Sequence, residues 1–157
     1  MTNSSIVDWL IIDAGVGYAM SVMDAETTHL RAIIASKVSL GMRLGAPVLW
    51  RYELTSIFTK SLHFGLLSET SARQALELSG EIAITLYSPD DELVRQAYAW
   101  TLRLKRAAAY DSFYLALAQR LNCELWTTDH KLFQAAGVPW VRFVGGAIDD
   151  VPTQTAS

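Results

Sequence analysis

Ile6-Val7-Asp8-Trp9-Leu10-Ile11-Ile12-Asp13 is an apolar run that stops at an acid. A nearly continuous stretch of Ile, Leu, Val and Trp suits a central strand covered on both faces, and Asp13-Ala14-Gly15 ends it abruptly. The pattern returns late in the chain, where Cys123-Glu124-Leu125-Trp126-Thr127-Thr128-Asp129 reads as a second short strand closing on an acid. Between and around them, helical periodicity alternates with strand-like runs. Residues 15–22 begin a short helix, and 27–43 predict a longer one with Thr27 or Thr28 as N-cap and Gly45 beyond its end. A brief strand at 46–49 leads into a helix through residue 64. Ser68-Glu69-Thr70-Ser71 opens the next helix and Gly80 closes it; 81–87 alternates as a strand. Ser88-Pro89-Asp90-Asp91 caps a helix through 105, its first-turn acids favoured by the helix dipole. A helix over 108–121, the strand at 124–127, a short helix over 130–136 and a last strand over 140–143 complete the order.

Strands separated by helices imply βαβ units. The fold class is therefore α/β: a three-layer α/β/α single domain with a mostly parallel central sheet. A chain of 157 residues is one domain by length, expected over residues 1–148, with 149–157 as a disordered tail.

Composition narrows the class. Hydrophobic residues reach 51% while charged ones are 18%, below the roughly 25% of an average soluble protein. With five Trp residues among them, so much apolar material predicts an exposed apolar surface for another subunit, as in a homodimer, or for a partner peptide. No positive segment precedes the first apolar run, and no charge-free stretch nears the ~20 residues that span a bilayer. The single Cys123 has no internal partner, and no Cys/His spacing suggests zinc. A soluble, cytoplasmic protein without membrane association is expected. The net charge of −3 gives no obvious nucleic-acid footprint, yet setting aside four acids for a metal leaves 12 against 13 bases. An RNA substrate remains compatible; tight non-specific binding to duplex does not.

Four carboxylates sit where an acid is locally uncomfortable. In open parallel sheets ligands bind beyond the carboxyl ends of the strands, the position of both Asp13 and Asp129. Neighbouring strands lie about 4.8 Å apart, so two such carboxylates can serve one cation. The plainer alternative makes each an N-cap for the helix that follows. Glu53 falls on the stripe of Trp50, Leu54, Ile57 and Phe58, where an acid needs a hydrogen bond, a metal or a base such as Arg51. Asp111 opens the almost wholly apolar helix Phe113–Ala118, whose narrow polar face is marked by Ser112 and Gln119; its plainer role is a first-turn dipole partner. Clustered carboxylates repel one another, and a hard divalent cation with oxygen ligands, Mg²⁺ or Mn²⁺, offsets that repulsion. Arg51, Lys60, Arg103, Lys105 and Arg106 are candidate phosphate contacts, the last three being the better placed because they precede Asp111.

Taken together, Ile12-Asp13-Ala14, Glu53 in a helix after Pro47, Ala109-Tyr110-Asp111-Ser112-Phe113-Tyr114-Leu115-Ala116-Leu117-Ala118 and Thr127-Thr128-Asp129 resemble the PIN-domain family, over about residues 6–143. Size and layout look most like the VapC-type toxins of toxin–antitoxin pairs. The resemblance implies an α/β/α fold and an Mg²⁺- or Mn²⁺-dependent endoribonuclease. Asp13, Glu53, Asp111 and Asp129 would hold the metal, Thr127 would steady the site by hydrogen bonding, RNA would be the substrate and an antitoxin the partner. Gly15 departs from the pattern, since many members carry a Ser or Thr hydroxyl there. Two other classes compete: a non-catalytic PIN-like module that binds RNA or protein, and a phosphotransfer domain. The second is disfavoured because its dehalogenase-type site wants an acid where this chain has Gly15, and no Gly-Lys-Ser/Thr phosphate loop occurs.

Overall fold

The structure is a computed structural model and describes residues 7–145. In chain order it runs β1 (Trp9–Ile12), α1 (Ala14–Ser21), α2 (Thr28–Ser39), β2 (Arg43–Pro47), α3 (Leu49–His63) and α4 (Glu69–Gly80). It continues with β3 (Ile84–Tyr87), α5 (Asp91–Leu104), α6 (Tyr110–Arg120), β4 (Glu124–Thr127), α7 (His130–Ala136) and β5 (Val141–Phe143). The five strands form one sheet in the order β3-β2-β1-β4-β5, and every pairing is parallel. Leu10, Ile11 and Ile12 are at most 2% exposed, as expected of a central strand covered on both faces. On one side α1 packs against α2, α3 and α4; α5 packs on α6, which lies against β1, β2 and β4.

The strand order matters for the site. From β1 the chain proceeds to β2 on one side and, later, to β4 on the other, so the direction of winding reverses between β1 and β4. A crevice opens at such a switch point, above the carboxyl ends of the two strands. Ile12 stands beside Trp126 in register, and the Asp13 N–H donates to the Trp126 carbonyl at 3.1 Å, which puts Asp13 next to Thr127.

Several boundaries differ from the sequence reading. The second helix stops at Ser39, and the strand expected at 46–49 occupies Arg43–Pro47. Gly41, at φ +101°, turns the chain, and the Arg43 N–H reaches the Asp8 carbonyl to start pairing with β1. Val48 and Leu49 already belong to the entry of α3. Thr27 is the N-cap of α2, one of the two residues expected, but its hydroxyl donates to the Val22 carbonyl instead of capping, and the Asp24 carboxylate accepts from the Thr27 N–H at 2.8 Å. Gly80 closes α4 as expected, but β3 begins at Ile84 rather than at residue 81. The expected tail at 149–157 lies outside the described residues, as does Ile6.

The tryptophans do not form the exposed apolar surface. Trp50, Trp100 and Trp126 are buried and Trp9 and Trp140 half-buried, while exposed apolar area lies on residues such as Tyr52, Tyr98, Leu102 and Tyr110.

Candidate metal centre

Asp13, Glu53, Asp111 and Asp129 line one pocket of about 560 Å³, together with Lys60, Tyr114, Thr128, His130 and Lys131. Four segments distant in sequence supply the acids: the ends of β1 and β4, the first turn of α6, and the second turn of α3. All four are half-buried.

Asp13 is the most tightly held. It is the N-cap of α1, with Oδ1 accepting from the Val16 N–H at 2.9 Å. Its Oδ2 accepts from the Thr127 hydroxyl and from the Thr128 N–H. Thr127 is fully buried and also accepts from the Asp129 N–H at 2.9 Å, so one hydroxyl ties the two strand ends together. Asp129 is the N-cap of α7, with Oδ1 accepting from the Leu132 N–H. The capping alternative therefore holds for both residues and coexists with the cluster, because a carboxylate offers about four lone-pair directions.

Glu53 is anchored across the molecule. The Tyr114 hydroxyl, on α6, donates to Glu53 Oε1 at 2.8 Å. Burial and the charge of Glu53 raise the Tyr114 pKa, so the phenol stays a donor. Arg51 is not the partner: its guanidinium lies 6.0 Å from the Trp50 ring centroid. Asp111 is met by Arg106, whose Nη1 lies 2.6 Å from Oδ2. Arg106 is thus a counter-ion of the cluster. The expected polar face of α6 is also corrected. Ser112 is buried, sharing a 2.8 Å hydrogen bond with Thr101, and Gln119 accepts from the Trp100 indole at 2.9 Å, so both serve the α5–α6 contact. Tyr114 was missed as a site residue, although it lies one helical turn after Asp111; Thr128 gave no signal of its own.

Electrostatics mark Asp13, Glu53 and Asp111. Burial pushes the Asp13 carboxyl up to about 6 and that of Glu53 up to about 7, with neighbouring carboxylates adding to both. Asp111 is raised by burial and by Asp129, against the pull of Arg106. It also perturbs both Asp13 and Glu53, which makes it the hub. An acid whose folded pKa lies above its unfolded value holds its proton more tightly when folded. Stability is then full below about pH 4 and falls as pH rises through about 6 to 7. The metal-free protein is expected to lose about 2–4 kcal/mol between pH 4.5 and 8, after discounting Glu53 for solvent screening. If the pocket holds a divalent cation, added Mn²⁺ is expected to recover that loss at pH 8 and to change little at pH 4.5. Denaturant melts at the two pH values, with and without Mn²⁺, check both signs.

Oxygen-only donors, mutual repulsion and partial enclosure fit a hard divalent cation. Each acid is oriented by at least one hydrogen-bond donor and retains acceptor capacity. Among the described residues no three His, Cys, Asp or Glu side chains close on one point as a ready-made cage.

The structure also accounts for Gly15. A Cβ on Gly15 would lie 1.8 Å from the Thr128 hydroxyl, which occupies that space beside Asp13. The Thr128 hydroxyl thus stands where a side chain at position 15 would begin, and the Thr128 N–H donates to Asp13 Oδ2. Gly15→Ser is therefore expected to cost about 1–3 kcal/mol by overpacking. Adding Thr128→Ala should recover most of it, a coupling that thermal melts of the single and double variants measure.

A family model of the PIN domain matches residues 10–138. Ribonuclease VapC1 of Mycobacterium tuberculosis is 29% identical over 134 residues, covering 85% of this chain and 95% of that protein. Ribonuclease VapC9 of the same organism is 30% identical over 123 residues, covering 78% and 87%. Among solved structures, PAE2754 from Pyrobaculum aerophilum superposes with a TM-score of 0.61 at 19% identity, covering 90% of this chain and 93% of that one. A toxin–antitoxin complex from Klebsiella pneumoniae gives 0.55 at 17% identity, covering 85% and 95%. These two likenesses bear on the fold.

Proposed function

The chain belongs to the PIN-domain family, and on that premise we propose that its acidic pocket is the active centre of an Mg²⁺- or Mn²⁺-dependent endoribonuclease, the toxin of a toxin–antitoxin pair. The observation that carries this reading is the convergence of Asp13, Glu53, Asp111 and Asp129 on one pocket at the switch point of a parallel sheet. The VapC ribonucleases named above support RNA as the substrate.

When bound by these acids, a divalent cation would supply Lewis-acid charge at a phosphate oxygen and would make water a better nucleophile. Asp13 and Asp111 are its principal holders in this reading, and Glu53 and Asp129 complete the shell or orient the attacking water. Thr127 fixes the Asp13 carboxylate, and Tyr114 fixes that of Glu53. Lys60 and Lys131 bring positive charge to the pocket that receives the phosphodiester. Purified protein incubated with total cellular RNA should cut it with Mn²⁺ and stop with excess chelator. Equal cutting in chelator would sink the metal reading.

The proposed antitoxin has a place to bind. Tyr18, Leu30, Ile33, Leu66, Trp126 and Val144 line a mostly apolar cleft of about 500 Å³, suited to an amphipathic helix. For a homodimer, the outer face of α5 exposes Val94, Tyr98 and Leu102 at four-residue spacing. Among the described residues no helix is long and apolar enough to cross a membrane.

A further inference from the structure

Beside the acidic pocket lies a second cleft of about 420 Å³, and Glu53, Ile57 and Lys60 line both. Tyr52 and Tyr110 flank this second cleft, with 75% and 67% of their surfaces exposed. The placement follows from the two helices that build the metal centre. Tyr52 precedes Glu53 on α3, and Tyr110 precedes Asp111 at the start of α6, so each aromatic residue is the chain neighbour of a site carboxylate. Along α3, Tyr52, Ser56 and Lys60 recur every four residues and form one stripe that spans about 12 Å along the helix axis.

An exposed aromatic can be an accident of the surface, but this pair has context. Both rings face one cleft, a lysine stands at the cleft's junction with the acids, and Ser56 keeps its floor partly polar. Stacking faces with a cation beside them are what an unpaired nucleotide needs. The base stacks on the aromatic ring and the phosphate meets the lysine. A base inside a duplex has both faces covered by its neighbours and cannot use such a site.

We propose that Tyr52 and Tyr110 form a stacking subsite for an unpaired RNA base next to the scissile phosphodiester, with Lys60 contacting the intervening phosphate. The subsite rests on the ribonuclease reading and deepens it, naming the side chains that hold a base beside the cut. Tyr52 and Tyr110 are binding residues here; the acids do the chemistry.

The test uses the full chain carrying Asp111→Asn, so that RNA is bound without being cut, and a fluorescent random-sequence pool of short single-stranded RNA with Mn²⁺. Tyr52→Ala and Tyr110→Ala are each expected to weaken binding by roughly 5- to 150-fold. Tyr52→Trp, which keeps a stacking face, should bind as the parent does, and affinity for duplex RNA should barely change. Sedimentation of every variant accompanies the titrations. Unchanged affinity in both alanine variants, while the parent binds RNA and the wild-type chain cleaves it, overturns the subsite and spares the ribonuclease. Loss of binding only in step with loss of self-association also overturns it, and assigns the tyrosines to a protein interface. A parent that binds no RNA and a wild-type chain that cuts none overturn both readings.

Discussion

Asp111→Asn is expected to lower metal-dependent RNA cleavage by at least about a hundredfold while leaving the fold intact. Asp111 is the hub of the cluster, since it disturbs the ionisation of both Asp13 and Glu53 and is itself disturbed by Asp129. An amide keeps the shape and can still accept the Arg106 N–H, so the ion pair becomes an ordinary hydrogen bond. It removes the charge that a cation needs. The stability of the metal-free protein should change by less than about 1 kcal/mol, because the lost ion pair is offset by relief of repulsion from Asp129. Calorimetric titration with Mn²⁺ should show weakened binding, and cleavage rates should fall with it. Undiminished cleavage would remove Asp111 from the mechanism.

Trp50→Ala is expected to cost about 3–5 kcal/mol, lowering the melting temperature by about 6–20 °C. Trp50 is fully buried, and its indole N–H donates to the Asp13 carbonyl at 3.0 Å. Its ring lies so close to α1 that a Cβ on Gly17 would come within 2.5 Å of it. The side chain thus wedges α3 against the turn that presents Asp13. Removing it opens a cavity and frees that turn, so activity should fall along with stability. Trp50→Phe separates the two effects. It keeps most of the volume and loses the donor, at about 1–2 kcal/mol, and the Asp13 carbonyl still accepts from the Gly17 N–H. Differential scanning calorimetry of the three proteins checks the order.

Much of this was legible in the sequence because β1 and β4 are short, apolar and closed by acids, a pattern with few structural solutions. The helix around Asp111 and the stripe that includes Glu53 were legible for the same reason: an acid in an apolar pattern needs a partner. What the sequence did not show is who the partners are. Tyr114 lies 61 positions from Glu53, and Thr127 lies 114 from Asp13, so neither pairing leaves a local trace. Arg106 reads as one of three bases at a helix end, and only the turn between α5 and α6 selects it for Asp111. Ser112 reads as exposed by helical spacing, whereas a matching hydroxyl on α5 lets it be buried. The start of β2 was missed because Gly41 ends the preceding helix earlier than apolar periodicity suggests. At position 15, a missing hydroxyl reads as a gap until Thr128 is seen to fill it.

Four carboxylates gathered at the switch point of the sheet are proposed to make this chain a metal-dependent cutter of RNA. Mapping RNA 5′ ends in cells after induced expression, wild type against Asp111→Asn, tests it most directly, because a cell offers every candidate substrate at once. The account predicts new 5′ ends at one or a few sites, present with the wild-type chain and absent with the variant. Identical maps from two folded, antitoxin-free proteins would contradict it and leave a PIN-like module that binds without cutting.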